Sequence, residues 1–226
     1  MKWLMVLLLA SPAAAQERAD VPYSWARHKP GTFLKTRMTS SGTAIVEYHR
    51  TLKEITDKEA IFDLVTVSIP TKERKASVQK LFLIQPGGEN IAEETLKLKD
   101  REYKCRVLKA NYEQGGVKMD SKFWTAEGVD FPLKTLEVGT GAERWMNFES
   151  GALLVSLDEE LVVAGRKLKC AKYAGTVKGE QSGTLAFWLC PEVPGGMVRS
   201  ETELGAPDAK SKMKMVIETI EFEVKK

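Results

Sequence analysis

Two ten-residue stretches decide the fold of this sequence: LKLKDREYKC at residues 96–105 and LVVAGRKLKC at residues 161–170. They align at an offset of 65 residues, with leucine, arginine, lysine and cysteine recurring in register. A Phe-Trp pair follows each cysteine after a similar interval, at Phe123-Trp124 and at Phe187-Trp188. This self-similarity predicts two diverged copies of one three-stranded unit, at about residues 95–139 and 160–205.

In the rest of the sequence, turn residues recur at the spacing typical of an antiparallel β protein. From Phe33 onward, Gly, Pro, Asn or Asp interrupts the chain about every ten residues, and the intervening pieces alternate or are β-branched. In the final strand the apolar parity changes, which predicts a bulge near Glu218 or Thr219. The predicted strands are Phe33–Thr39, Ala44–Leu52, Ala60–Pro70, Gln79–Gln85, Thr95–Lys99, Tyr103–Tyr112, Lys118–Thr125, Leu133–Val138, Leu153–Leu157, Leu161–Val163, Lys167–Val177, Thr184–Cys190, Gly196–Glu203 and Lys212–Val224.

Little helix is expected. Thr140–Ser150 is long enough for a turn or two of helix, and the polar segment Thr71–Ser77 is predicted to be a loop. Gln85–Asn90, with its Pro-Gly-Gly sequence, has the composition of a hairpin turn. No linker rich in Pro, Gly or Ser divides the sequence, so a mostly β single domain is predicted.

The first fifteen residues have the three parts of a secretory signal peptide. Lys2 precedes an apolar run, Trp3–Ala10, and the segment ends in Ala13–Ala15, an A-x-A pattern. The run is far shorter than the roughly 20 residues that span a bilayer. We therefore expect residues 1–15 to be removed, leaving residues 16–226 as an antiparallel β domain in the periplasm or outside the cell, without a membrane span.

The aromatic pairs are the candidate ligand contacts. Successive side chains of a strand point to opposite faces of a sheet, so one ring of each pair enters the core and the other lies on the opposite face. That second ring is either covered by the protein's own chain or contacts a ligand. Phe123, Trp124, Phe187 and Trp188 are accordingly the predicted ligand-binding residues, with burial as the competing interpretation.

Three motifs resemble a group of exported bacterial proteins. They are W-x-x-x-K-P-G-T-F at residues 25–33, G-R-x-x-K-C at residues 165–170, and F-W-x-x-P-E-V-P-G-G-x-V-R-x-E at residues 187–201. Those proteins are similar to the half-barrel carriers of the lipoprotein-localisation type (LolA and LolB-like). The resemblance implies a curved antiparallel sheet, a half-barrel, that wraps a hydrophobic cavity. The lid helices of those carriers have no counterpart in this sequence.

The cysteines leave three arrangements open. If the hairpin after Cys170 turns around Glu180, then Cys170 and Cys190 lie directly opposite each other and a cross-strand disulfide can form in an oxidising compartment. Cys105 can instead pair with Cys170, which is its equivalent in the repeat, or all three can be buried thiols. His28 and His49 lie in no catalytic or metal-binding motif, so we expect no enzyme activity, no metal and no cofactor.

The formal charge of +3 falls to +2 once Lys2 is removed, and basic and acidic residues are interleaved, which argues against a nucleic-acid partner. Two functions remain from the sequence. The first is a non-catalytic envelope binding protein that holds a hydrophobic small molecule or lipid on a concave sheet. The alternative is a structural or protein-protein interaction module with a fully packed core, whose partner is another envelope protein.

Overall fold

The structure, a computed structural model, describes residues 16–18, 24–57, 59–84, 89–114, 116–205 and 212–225. The predicted signal segment, residues 1–15, lies outside the described residues. Two single-turn 3-10 helices occur in the described ranges, at Trp25–Arg27 and Arg144–Met146. The strands are β1 (Gln16–Arg18), β2 (Phe33–Ser40), β3 (Thr43–Ile55), β4 (Glu59–Ser68), β5 (Arg74–Ile84), β6 (Glu89–Leu98), β7 (Arg101–Gln114), β8 (Val117–Ala126), β9 (Lys134–Thr140), β10 (Phe148–Val163), β11 (Arg166–Gly179), β12 (Ser182–Leu189), β13 (Met197–Gly205) and β14 (Met213–Glu223).

All fourteen strands belong to one curved sheet, in the order β1-β5-β4-β3-β2-β14-β13-β12-β11-β10-β9-β8-β7-β6. Neighbouring strands are antiparallel except β1, which pairs with β5 in parallel. Among the described strands the sheet does not close into a barrel. However, only five peptide links join Ile84 on β5 to Glu89 on β6, so these two regions lie within roughly 18 Å of each other. The curvature therefore brings the two ends of the strand order close together.

The concave face carries most of the core. On β3 it presents Val46, Tyr48 and Leu52, all of which are buried, whereas the intervening residues Glu47 and His49 lie on the convex face. Every second residue of a strand points to the same side, so this alternation gives one apolar face and one charged face. The same pattern recurs on β2, β13 and β14.

Most of the buried apolar side chains belong to two large clusters. The central cluster includes Tyr173 and Phe187, whose rings stack with centroids 4.5 Å apart. The second cluster joins Trp25 to Phe62, whose rings meet edge to face at 4.6 Å. Truncating a buried residue of either cluster, such as Leu52 to alanine, is expected to cost about 2–5 kcal/mol of stability.

The second cluster brings together all three of the motifs that carry the family resemblance. Trp25 comes from the first motif, Cys170 from the second, and Trp188 and Val193 from the third. Gly195 is required here, because its φ is +73° and an added Cβ would lie 2.5 Å from Trp25 Nε1. Residues far apart in sequence thus pack together in one cluster.

The predicted fold class, a mostly β protein with a curved antiparallel sheet and little helix, is confirmed. The predicted bulge is also present, as a register shift between Thr219 and Glu221. The loop prediction is wrong from Arg74 onward, since that residue begins β5. Most of Gln85–Asn90, the predicted hairpin turn, lies outside the described residues; the described strands on either side of it, β5 and β6, are not paired with each other.

The two strands predicted at Leu153–Leu157 and Leu161–Val163 are one strand, β10. The pattern broke there because the register shifts between Leu154 and Glu159, so the apolar side chains change face within a continuous strand. Sequence alternation alone reads such an irregularity as a loop. Asp158, Glu159 and Glu160 lie in this stretch, and such a run of acidic residues is typical of a turn between strands.

The predicted duplication has a counterpart in the order of strands. β6 to β9 and β10 to β13 each form a four-stranded meander, and β7 and β11 have the same length. The turns that precede these two strands contain Lys99 and Ala164, both with a left-handed φ, of 53° and 49°. Common ancestry of the two copies stays a prediction that these likenesses support.

Candidate functional site

The two predicted Phe-Trp pairs are buried on both faces of the sheet. Phe123 and Phe187 are 6% and 2% exposed, and Trp124 and Trp188 are 5% and 7% exposed. Phe187 stacks on Tyr173 in the central cluster, whereas Trp188 belongs to the second cluster. The structure therefore does not bring the four rings together in one pocket. Their role as ligand contacts stays a prediction.

The two tryptophans have matching polar surroundings. Trp124 Nε1 donates a hydrogen bond of 2.7 Å to Glu94, and Trp188 Nε1 donates one of 3.0 Å to Glu159. Glu94 and Glu159 are separated by the 65-residue offset of the predicted repeat. A buried indole N–H needs such an acceptor, so each tryptophan is held in place by a glutamate about 30 residues before it.

Cations cover the outer faces of the same two rings. Lys134 Nζ lies 4.2 Å from the centre of the Trp124 ring, and Arg199 Cζ lies 5.9 Å from that of Trp188. Lys172 Nζ lies 5.0 Å from the Trp188 ring centre and also pairs with a carboxylate of β10. These cation-π contacts occupy the ring faces, which favours a structural role for both tryptophans.

The described cysteines are all buried free thiols. The register of β11 and β12 is centred on Glu180, as expected, which places Cys170 opposite Cys190. The two thiols are in hydrogen-bond contact, and this contact lowers the pKa of Cys170 and raises that of Cys190. Cys190 Sγ also lies 2.9 Å from Glu192 Oε2. The Cys170–Cys190 disulfide itself stays a prediction.

The two histidines lie apart from each other. His28 is half-buried, and burial lowers its pKa. His49 lies on the convex face, 3.1 Å from Glu47, which also pairs with Lys35 and Arg37. Burial raises the pKa of Glu47, but hydrogen bonds from these basic groups outweigh burial and hold it at about 2. This cluster is a satisfied surface network.

No group of three or more His, Cys, Asp or Glu side chains in the described ranges is arranged to hold a metal ion. In the same part of the chain, none of the helices has the length and apolar character needed to cross a bilayer.

A small cavity lies on the concave face, where β2 to β5 meet the segment around Gly195. Its volume is about 40 Å³, and it is partly open to solvent. Most of its wall is apolar, and the polar side chains in it are those of Thr36, Tyr48, Arg50 and Gln79. The apolar lining residues are Trp25, Leu34, Phe62, Leu81, Met197 and Ile217.

Arg50 is the charged residue of this cavity. Its Nε donates a hydrogen bond of 2.7 Å to Gln79 Oε1, and its Cζ lies 5.6 Å from the centre of the Tyr48 ring. Burial lowers the pKa of the guanidinium, although not enough to discharge it at neutral pH. Among the described residues, none forms a salt bridge with Arg50.

A fully buried ionisable group lies deeper in the sheet. Glu137 on β9 is fully buried between Ser121 on β8 and Ser150 on β10, its partners in register. Neither carboxyl oxygen has a hydrogen-bond partner among the described residues. Burial raises the pKa of Glu137 to about 8. Because no cavity described here opens onto this carboxyl group, it is a feature of the core.

Sequence reasoning missed the cavity residues. The signal was present on β3, where Arg50 stands at the same parity as the apolar residues Val46 and Leu52. A charged residue at an inward position is unusual and calls for a partner.

Two larger grooves lie elsewhere on the surface. One, of about 780 Å³, runs along the strands β7, β8 and β9, and includes Lys118, Asp120 and the exposed Val138. The other, of about 550 Å³, lies between the β6–β7 turn and the stretch Leu153–Asp158 of β10. Both are wide and shallow, so they lack the enclosure that a small-molecule site usually has.

Comparison with known proteins gives little further identification. No protein-family model matches the sequence, and no curated protein matches it. The fold is similar to the crystal structure of the hypothetical lipoprotein YmcC from Escherichia coli K12, with 14% sequence identity, a TM-score of 0.36, and 84% of each chain covered. Likeness at this level carries no information about ligand or activity.

Proposed function

We propose that this chain is a non-catalytic binding protein of the cell envelope, and that its ligand enters the cavity on the concave face beside Trp25 and Phe62. The observation that carries the proposal is the lining of that cavity: six apolar side chains with a small number of convergent polar groups. This composition is typical of small-molecule sites. Export by the predicted signal segment would place such a site in the envelope.

The size of the cavity limits what it can enclose. Ligand pockets usually measure about 300 Å³ or more, whereas this one is about 40 Å³. It therefore accommodates one end of a ligand, and the remainder lies toward the open side. A lipid wholly enclosed by the sheet does not fit, because stacked aromatic rings fill the centre of the concave face.

Native mass spectrometry of protein purified from its own envelope tests this proposal. We expect a bound small molecule that is lost on denaturation. Leu81→Trp would fill the cavity and should remove the bound mass, whereas Val138→Trp adds the same ring on the convex face and should retain it. If the wild-type protein carries no ligand, and added aliphatic compounds bind both variants as well as the wild type, the proposal is wrong.

The alternative, an interaction module with a packed core, is favoured by one specific observation. Among the described strands, β6 ends the strand order and pairs with β7 alone, and most of its residues are exposed. An unpaired strand edge can accept a strand from another protein. Glu89, Glu93 and Glu94 on β6 give that edge a negative charge, so a basic partner strand is the expected one.

Substitution of the exposed Glu93 by proline tests this alternative. Proline removes a backbone N–H and is poorly accepted when a further strand must pair. We expect loss of an envelope partner in cross-linking, with ligand binding unchanged. Equal cross-linking by the wild type and the variant would exclude the edge as a docking strand.

A further inference from the structure

Two buried hydroxyl groups without hydrogen-bond partners and a partly buried arginine converge on the cavity. Thr36 Oγ1 and the Tyr48 hydroxyl are buried and have no hydrogen-bond partner among the described residues. The Arg50 guanidinium has Gln79 as its acceptor for one of five N–H groups. The three side chains lie on neighbouring strands, since Tyr48 pairs in register with Thr36 and Arg50 follows two residues later on β3.

This arrangement destabilises the protein when no ligand is bound in the cavity. Each buried hydroxyl without a partner costs free energy, and a partly buried guanidinium without a counter-ion adds to that cost. On the convex face of the same strands the basic side chains have a carboxylate partner: Glu47 accepts hydrogen bonds from Arg37 and pairs with Lys35. On the concave face, the described residues supply no equivalent carboxylate.

An anion from outside the protein would satisfy all three donors. The planar fork of arginine matches the oxygens of a carboxylate or phosphate, and a hydroxyl can donate to either. The cavity volume, about 40 Å³, equals the space of roughly three water molecules. That space suits a head group of this kind, and the apolar wall suits the carbon chain attached to it.

We propose that the cavity binds the anionic head group of an amphipathic ligand, a carboxylate or a phosphate ester, through Arg50, Tyr48 and Thr36. This assignment rests on the proposed function and specifies the chemistry of its ligand. The apolar side chains of Trp25, Phe62 and Leu81 contact the first carbons of the chain. The guanidinium supplies selectivity for a negative charge, and the two hydroxyls fix the orientation of the head group.

Binding of three probes with equal chain length tests the assignment: decanoate, decyl phosphate and 1-decanol. The measurement is isothermal titration calorimetry on the mature chain, below the micelle concentration of each probe. We expect at least one of the two anions to bind roughly 10- to 100-fold more tightly than decanol, as charge-assisted hydrogen bonds would give. Whichever anion binds more tightly identifies the head group.

Variants separate the charge from the apolar wall. Arg50→Met should weaken binding of the anion roughly 10- to 100-fold and leave decanol unchanged. Arg37→Met, on the convex face of the neighbouring strand, is the matched control and should leave both unchanged. Tyr48→Phe and Thr36→Val remove only a hydroxyl, so each should weaken anion binding by a few-fold, and they serve as the test if Arg50→Met does not fold.

The outcomes separate the anionic head-group assignment from the proposed hydrophobic binding site. Equal affinity for all three probes, or anion binding that all of these variants leave unchanged, overturns the anionic assignment while the hydrophobic site stands. Failure of the wild-type protein to bind any of the three probes overturns both.

Discussion

Replacing Glu137 by glutamine should make the protein more stable at neutral pH. The carboxyl group is fully buried, both of its oxygens lack a partner in the described chain, and burial raises its pKa to about 8. Glutamine keeps the shape of the side chain but cannot ionise. The substitution therefore removes the cost of holding a carboxyl group protonated when the unfolded chain would release the proton.

The size of the effect follows from the two pKa values. An unfolded glutamate has a pKa near 4.5, and the folded value is about 8. Below pH 4.5 Glu137 is protonated in both the folded and the unfolded chain, so the raised pKa costs no stability there. Between pH 4.5 and pH 8 only the folded chain keeps the proton, so the free energy of unfolding falls as the pH rises. Each pH unit in this interval corresponds to about 1.4 kcal/mol, so the loss at pH 7 is roughly 3 kcal/mol.

Urea unfolding followed by tryptophan fluorescence measures this difference. We expect the Glu137→Gln variant to match the wild type at pH 4 and to exceed its free energy of unfolding by roughly 3 kcal/mol at pH 7. Glu149→Gln, at an exposed site on β10, is the control and should show no such trend. A difference that stays constant between pH 4 and pH 8, or a variant less stable at pH 7, would refute the reasoning.

Three further predictions concern other parts of the sheet. Glu47→Gln should lower the free energy of unfolding by about 1 kcal/mol or less at pH 7. Because the pKa of Glu47 is held at about 2, this loss should disappear as the pH falls toward 2. Urea unfolding as a function of pH measures it. Trp188→Phe, which leaves Glu159 without its indole donor, should cost about 1–3 kcal/mol, and the thermal midpoint should fall accordingly. Mild oxidation should join Cys170 to Cys190 and leave Cys105 as a thiol, as read by peptide mass spectrometry after alkylation; a disulfide that includes Cys105 would contradict the observed register.

Most of the fold was accessible from the sequence because its causes are local. Alternation and regular turns identify strands, and the changed parity at Thr219 identified the bulge in β14. The pairing of β14 with β2 was not accessible, since no turn connects them and register between distant strands depends on tertiary packing.

The candidate site was predicted less well than the fold. The Phe-Trp pairs are conspicuous in the sequence, yet their partners Glu94 and Glu159 lie about 30 residues away, so the sequence could not show that the indoles are satisfied. Arg50 is an ordinary residue in a strand until its neighbours are known. Its position in the wall of the cavity becomes visible only when β2, β4 and β5 are placed beside it.

A crystal structure of the mature protein soaked with decanoate tests the central claim most directly. The account predicts electron density for the carboxylate in the cavity, within hydrogen-bond distance of Arg50 and at least one of the hydroxyls of Tyr48 and Thr36, with the carbon chain against Phe62. An empty cavity, or decanoate bound only in the two larger surface grooves, would contradict it.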